Sequence, residues 1–506
     1  MPRAAIGRES SATARLRIVL AALAASAVAA ALAASGCGAA AGGPAAAAPS
    51  TLQATLVDRD GDGSLERGPG EPLRDRRDLG GGGPPGAALA TFAQLTDTHV
   101  RDEESPARVP FLDRMGGAFS STFRPQEALS TQVLAAAVRA VNRARPDVVL
   151  VTGDIVDSAA EDELDQALEV LDGGRVDPDT GARGYDGVQG ASDPDPFFYR
   201  PDLDAPRHPG LLRAAERPFT SPGLDAPWLP AIGNHDVLVQ GEVPPTRRID
   251  ALAAGGRMVV GLDPELVPRA PVDSAAAVDR LLAAGAPGRA VRVPADPRRR
   301  ALRPAELLAR LTGRPKAPAA LRAAAGRSTL DYAVDLGRAA RVLVLDTANR
   351  AGGSRGLLRP AQLAWLRREL RRAAGRAIVV ATHNPLDGTD GGEAALAALD
   401  ATPGVVAVVS GNGHRNRIRA RRTARGGYWL IATSSLADFP QQARMLRLRR
   451  APGGYALETW MLDHDGAGPA GAARELAFLD AQGGRPQGFA GTPADRNARL
   501  FVPVGG

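Results

Sequence analysis

Short apolar runs recur through the middle of the chain, and most break on a turn rich in Asp, Asn, His and Gly. Residues 91–96 read as a strand ending on Asp97-Thr98-His99. Residues 125–144 carry Leu129, Val133, Leu134, Ala137, Val138 and Val141 at helical spacing, and Pro146 stops that helix. Residues 147–152 are almost continuously apolar, as in a strand buried on both faces, and end on Gly153-Asp154-Ile155-Val156-Asp157. Residues 161–171 are helical again, and the apolar run 228–232 closes on Gly233-Asn234-His235-Asp236. The rhythm resumes with strands at 329–334, 341–346, 377–381 and 405–409 and helices at 360–374 and 392–399. The third of these strands ends on Thr382-His383 and the fourth on Gly411-Asn412-Gly413-His414. Segments 417–423, 428–432, 445–448 and 455–462 suggest an antiparallel run that closes the sheet. This alternation predicts an α/β (α+β) domain, a sheet covered by helices, with its chemistry at the carboxyl ends of strands.

Two stretches interrupt the pattern. Residues 173–226 hold Pro, Asp and Gly with Tyr185, Phe197, Phe198 and Tyr199, which predicts an ordered, packed loop. Residues 238–328 are rich in Ala, Arg and Pro, with short helices expected at 274–284 and 304–311. Both flank the Gly233–Asp236 turn and are expected to wall or cover a site there. Near the amino terminus, Asp58-Arg59-Asp60-Gly61-Asp62-Gly63 spaces its carboxylates like the start of a calcium loop. The twelfth position is Pro69 where a bidentate glutamate belongs, so an acidic hairpin turn is the preferred reading.

Composition adds the setting. The 506 residues carry 62 basic and 56 acidic side chains, a net charge of +6, with only 4% aromatics. Arginine is abundant throughout, so its clusters carry little weight, and no aromatic-interleaved basic stripe points to a nucleic-acid partner. Cys37 is the one cysteine, which excludes an intrachain disulfide. Arg3, Arg8, Arg15 and Arg17 precede an apolar run over 18–34 and the small residues Ala34-Ser35-Gly36 before Cys37. That is the layout of a secretory signal, and it resembles a bacterial lipobox with Ala34 in place of the usual leucine. The expected organisation is a signal over 1–37 with Cys37 as the lipid attachment point, and a flexible tether and small N-terminal extension over 38–90. The main domain follows over 91–463 and a tail over 464–506. The chain is expected to be exported and anchored by lipid to the outer face of the cell membrane. No other run approaches the roughly 18 apolar residues a spanning helix needs.

Four of the six histidines fall at predicted strand ends; His208 and His464 do not. Any one of them would read as a cap or core residue, but together with Asp97, Asp154 and Asn234 they form the oxygen and nitrogen donor set of a divalent metal site. As an ordered set, D-x-H, G-D-x-x-D, G-N-H-D, a lone histidine and a closing G-x-x-H resemble the calcineurin-like metallophosphoesterases over about residues 91–450, in the exported bacterial branch with long insertions. The resemblance implies a four-layer β-sandwich of two mixed sheets flanked by helices, with two divalent metals (Mn, Zn or Fe). It assigns Asp97, His99, Asp154 and His414 to the first metal, and Asp154, Asn234 and His383 to the second. It places His235 beside the leaving oxygen, with Asp157 orienting that imidazole. The implied activity is hydrolysis of a phosphomonoester, nucleotide or phosphodiester by metal-activated water. The family's closing motif is G-H-x-H, and its first histidine is Asn412 here, a weaker donor that would loosen the second metal. The competing reading is a non-catalytic surface lipoprotein that keeps the fold and binds through its insertions.

Overall fold

The computed structural model describes residues 50–115, 122–262, 274–480 and 486–504. The signal segment and Cys37 lie outside the described residues. Two large mixed sheets dominate. The first has seven strands in the order Arg74–Arg76, Ala498–Pro503, Gly454–Asp463, Gln442–Ala451, Ala88–Leu95, Val148–Thr152 and Trp228–Ala231. The last three run parallel, with Phe92 opposite Val148 and Thr152 opposite Ala231. The second has six, Tyr332–Leu336, Ala340–Val344, Ala377–Ala381, Val405–Ser410, Gly426–Ala432 and Arg417–Thr423, of which the middle four are parallel.

Side-chain alternation explains the layering. In the second sheet Val342, Val344, Val379, Ala381, Ala407 and Val409 join one core with Phe92, Val149 and Leu229 of the first sheet. Their neighbours Leu343, Leu345, Ile378, Val380 and Val408 point the other way, onto Leu366, Leu370, Leu396 and Leu399. Those leucines belong to the helices Pro360–Arg372 and Gly392–Asp400. The helices Ser130–Ala144, Glu161–Asp172 and Pro469–Leu479 contribute their apolar faces to the first sheet's side. Helix, sheet, sheet, helix is the four-layer sandwich the resemblance implies. A strand with two buried faces cannot show a period of two, which is why 147–152 and 405–409 read as continuous apolar runs.

Three readings change. The antiparallel run after residue 417 does not close one sheet: its first hairpin edges the six-stranded sheet, and its second lies inside the seven-stranded one. The carboxyl-terminal segment is no tail. Ala498, Leu500 and Val502 are buried, and their strand pairs with both Gly454–Asp463 and Arg74–Arg76, a length too short to stand out among polar neighbours. The segment 38–90, read as tether and extension, contributes Arg74–Arg76 to the same sheet, while Ala54–Val57 and Glu66–Pro69 form a hairpin. The acidic residues sit in its turn, where Asp58 accepts the main-chain N–H groups of Gly61 and Gly63.

The insertions fold together. Phe197 and Phe198 stack edge-on, and Phe198 joins Phe123, Met258, Val260 and Val293 in a satellite core shared by both insertions. The 173–226 loop is therefore packed, as its aromatics suggest. The second insertion carries helices Ser274–Ala283 and Pro304–Thr312, and also Arg247–Ala253, which its sequence does not signal.

Candidate metal centre

Parallel strands send their carboxyl ends to one edge, and five such ends meet there. Leu95, Thr152 and Ala231 end strands of the first sheet; Ala381 and Ser410 end strands of the second. The turns that follow are strained. Asp97, His99, Asp154, Asn412 and His414 all have positive φ, between 42° and 63°. Left-handed backbone costs an L-residue roughly 1–2 kcal/mol, so five such residues persist only because neighbouring turns hold them. The N–H groups of Asp97 and His99 donate to the carbonyls of Gly153 and Asp154, each at 3.0 Å. Both oxygens of Asp236 each accept two main-chain N–H groups: Ile155 and Val156 on one, Asp154 and Gly233 on the other. Gly411 is needed because a Cβ there would fall on Thr96 Oγ1 and Asp97 Oδ2, and at Gly233 it would fall on Asp154 Oδ1.

These turns bring the side chains into two groups that share Asp154. Asp97, His99, Asp154 and His414 offer ligand atoms all within 4.8 Å of one another. His99 Nε2 and His414 Nε2 face each other at 3.2 Å, and His414 Nε2 lies 3.3 Å from Asp97 Oδ1. On the other side, His383 Nε2 is 3.1 Å from both Asp154 Oδ2 and Asn234 Oδ1. The outer nitrogen of each imidazole is tied down. His99 Nδ1 donates to Asp157 Oδ1 at 2.9 Å, His383 Nδ1 to the Thr152 carbonyl at 2.8 Å, and His414 Nδ1 to Asp438 Oδ2. All three Nε2 atoms are thereby aimed inward with their Nδ1 protons spent elsewhere, the tautomer a metal ligand needs.

The charges of this cluster fit the same use. Burial, with His235 close by, pushes His99 down to about 4, a neutral imidazole. Burial would also lower His383, but the Asp154 and Asp97 carboxylates outweigh it and raise His383 to about 9. For His414, burial is outweighed by Asp438 and Asp97, and the group rises to about 10. Burial disfavours ionised Asp154, yet His383, His235 and His99 hold it below the usual carboxylate range. Protons on His383 and His414 thus balance the buried carboxylates, and a divalent cation would take their place. Two imidazole nitrogens face to face beside two carboxylates fit cations far better than they fit one another, so the residues present suit a dinuclear site.

His235 stands at the rim, its side chain 16% exposed, with its ring edge-on to His99 at 4.4 Å. The resemblance implies that Asp157 orients it; Asp157 Oδ1 lies 3.6 Å from His235 Nδ1, and the closer contact is to the main chain. His235 Nδ1 donates to the main-chain oxygen of Asp157 at 2.7 Å, while the carboxylate is committed to His99 and to Arg101 at 3.0 Å. Asn412 meets the cluster through its main-chain N–H, which donates to Asp97 Oδ1 at 3.0 Å. Residues the motifs do not flag complete the surroundings. Arg101 and Arg108, fully buried, join Asp157 to Glu127. Asp438, in a Ser-Ser-Leu-Ala-Asp loop without any motif, pairs with Arg124 behind His414. Asp236 carries a signal in hindsight, as the acid that closes G-N-H-D.

Two mixed sheets back to back, five ligand turns at their shared edge and an aspartate between two donor groups decide the architecture. The chain has the four-layer, two-sheet architecture that the resemblance to calcineurin-like metallophosphoesterases implies. No family model matches the sequence, and no curated protein matches it. Among solved structures, the chain is similar to a dimetal phosphatase from Danio rerio at 13% identity, covering 75% of this chain and 100% of that one with a TM-score of 0.38. It is also similar to PhoD at 11% identity, covering 85% of this chain and 78% of that one with a TM-score of 0.32.

Proposed function

We propose that this protein is a metal-dependent phosphoric-ester hydrolase that acts on a phosphomonoester, nucleotide or phosphodiester. The observation that carries the reading is the convergence of Asp97, His99, Asp154, Asn234, His383 and His414 from five strand ends, with Asp154 common to both groups. Two divalent ions bound there would supply Lewis acidity and a bound water acidic enough to be hydroxide near neutral pH. The chain's own residues do the rest. Asp97, His99, Asp154 and His414 would hold the first position, and Asp154, Asn234 and His383 the second. His235, oriented through Nδ1, keeps Nε2 for the substrate, and as the doubly protonated imidazolium it would donate a proton or hydrogen bond from there to the departing oxygen. The buried arginine–carboxylate pairs behind the histidines keep that geometry fixed when a charged ester arrives.

Export with lipidation at Cys37 is part of the same proposal, and it would present the site at a membrane surface. No helix among the described residues is long and apolar enough to cross a membrane. The test is hydrolysis of p-nitrophenyl phosphate and its bis ester by the purified chain, with manganese, zinc, iron or calcium added. Metal-dependent turnover that Asp154→Ala abolishes is the expected result. Metal binding without turnover on either ester would favour the non-catalytic lipoprotein, which the asparagine at position 412 of the closing motif supports. Mass of the mature amino terminus, with and without Cys37→Ala, tests the lipid anchor.

A further inference from the structure

The three inward-facing imidazoles are not braced alike. His99 and His414, of the first position, each donate their outer N–H to a buried carboxylate that is itself paired with arginine. His383, of the second position, donates to the neutral carbonyl of Thr152, and the Asn234 amide donates to the neutral carbonyl of Gly241 at 3.1 Å. Asp438 is fully buried and its contacts are specific. One oxygen takes the Arg124 Nε–H, and the other takes His414 Nδ1 and the Ser435 hydroxyl at 3.1 Å. Its loop is anchored to the first ligand turn, since Leu436 N–H donates to the carbonyl of Asp97 at 3.1 Å. A shift of Asp438 is therefore a shift of His414 relative to Asp97.

We propose that Asp438, held by Arg124, is a positioning residue that fixes His414 as an Nε2 donor, and that this carboxylate bracing makes the first metal position hold its ion more tightly than the second. The inference rests on the dinuclear reading above. A carboxylate behind a ligand imidazole fixes its tautomer and raises its basicity, whereas a carbonyl fixes the tautomer without a formal charge, and loss of such a partner typically weakens binding 10–100-fold, an order-of-magnitude range. The second position is the poorer, because both His383 and Asn234 lean on neutral carbonyls.

The experiment titrates the metal-stripped full chain with cobalt(II), followed by its visible absorption bands and by equilibrium dialysis. Wild type is expected to bind two ions, one clearly tighter. Asp438→Asn is expected to weaken the tighter ion by about 10- to 100-fold and to leave the weaker one within about twofold, with the far-ultraviolet spectrum of the metal-free chain unchanged. Arg124→Gln and Ser435→Ala, which keep the carboxylate but remove one of its partners, should shift the same ion in the same direction by less, and they carry the test if Asp438→Asn does not fold. Unchanged affinity in these variants, or equal weakening of both ions, overturns the inference. A wild type that binds no ion overturns the dinuclear reading instead.

Discussion

At His235 the proposed chemistry depends on a single imidazole. Its Nδ1 is held by the Asp157 carbonyl and its main-chain N–H by Asp154 Oδ1 at 2.9 Å, so only Nε2 is left for a substrate. His235→Gln is expected to lower kcat by roughly 10²–10⁴-fold while metal content, measured by elemental analysis, stays at the wild-type level. Loss of metal together with activity would place His235 among the ligands. Asn412→His is expected to strengthen the weaker ion by roughly tenfold or more, read in the same cobalt titration, since an imidazole replaces an amide. No change would mean that the position 412 side chain does not reach the ions. At this scale the sequence is highly legible where donor residues punctuate apolar runs, as at Asp97, Asp154 and His383. It is silent where a residue acts through another, as Asp438 does through His414, because nothing in local spacing marks a partner met only in the folded chain.

Among elements, the turns after the strands are the least forgiving. Asp236 accepts four main-chain N–H groups, two on each oxygen, and so welds the Asp154 turn to the Asn234 turn. Asp236→Asn is expected to destabilise about as much as Asp236→Ala, because an amide NH2 would confront two of those donors. Each buried group left unpaired costs about 1–3 kcal/mol, which puts either variant at roughly 3 kcal/mol or more in a denaturant titration. A loss confined to the alanine variant would show that these bonds are not shared between both oxygens. Helix and strand cores are readable because Val133, Val138 and Val141 bury a repeating helical face, while residues 148–151 form an unbroken apolar run. The carboxyl-terminal strand is not, since Arg499 and Pro503 leave only three or so apolar positions around Leu500 to signal it.

Across the whole molecule, the first insertion is joined to the ligand turns through acid groups that avoid ionisation. Glu103, Glu104 and Glu216 bring their carboxylates within 4.8 Å of each other in the interior. Burial, with repulsion from Asp102, lifts Glu103 to about 8; burial and Glu103 lift Glu104 to about 9; burial with Glu103 and Glu104 lifts Glu216 to about 11. Each is raised above its unfolded value, so each favours the fold most below the ordinary glutamate range, and that contribution is lost as pH rises through the folded value. The metal-free protein is therefore expected to melt at falling temperature between about pH 5 and pH 9, with the raised His383 and His414 adding to the loss in the upper part of that window, and Glu216→Gln should flatten the slope. A melting temperature that rises over this range would contradict the buried, protonated cluster.

The distance along the chain between the donor residues has a consequence for where a metal would be acquired. The first position needs Asp97 and His414, and the sheet that carries Asp97 is completed by Ala498–Pro503 near the carboxyl terminus. The donor set comes together only when turns far apart in the sequence pack, which ties metal binding to folding. If the chain leaves the cell unfolded, the ions available outside, not those of the cytoplasm, would decide which metal the proposed site takes up.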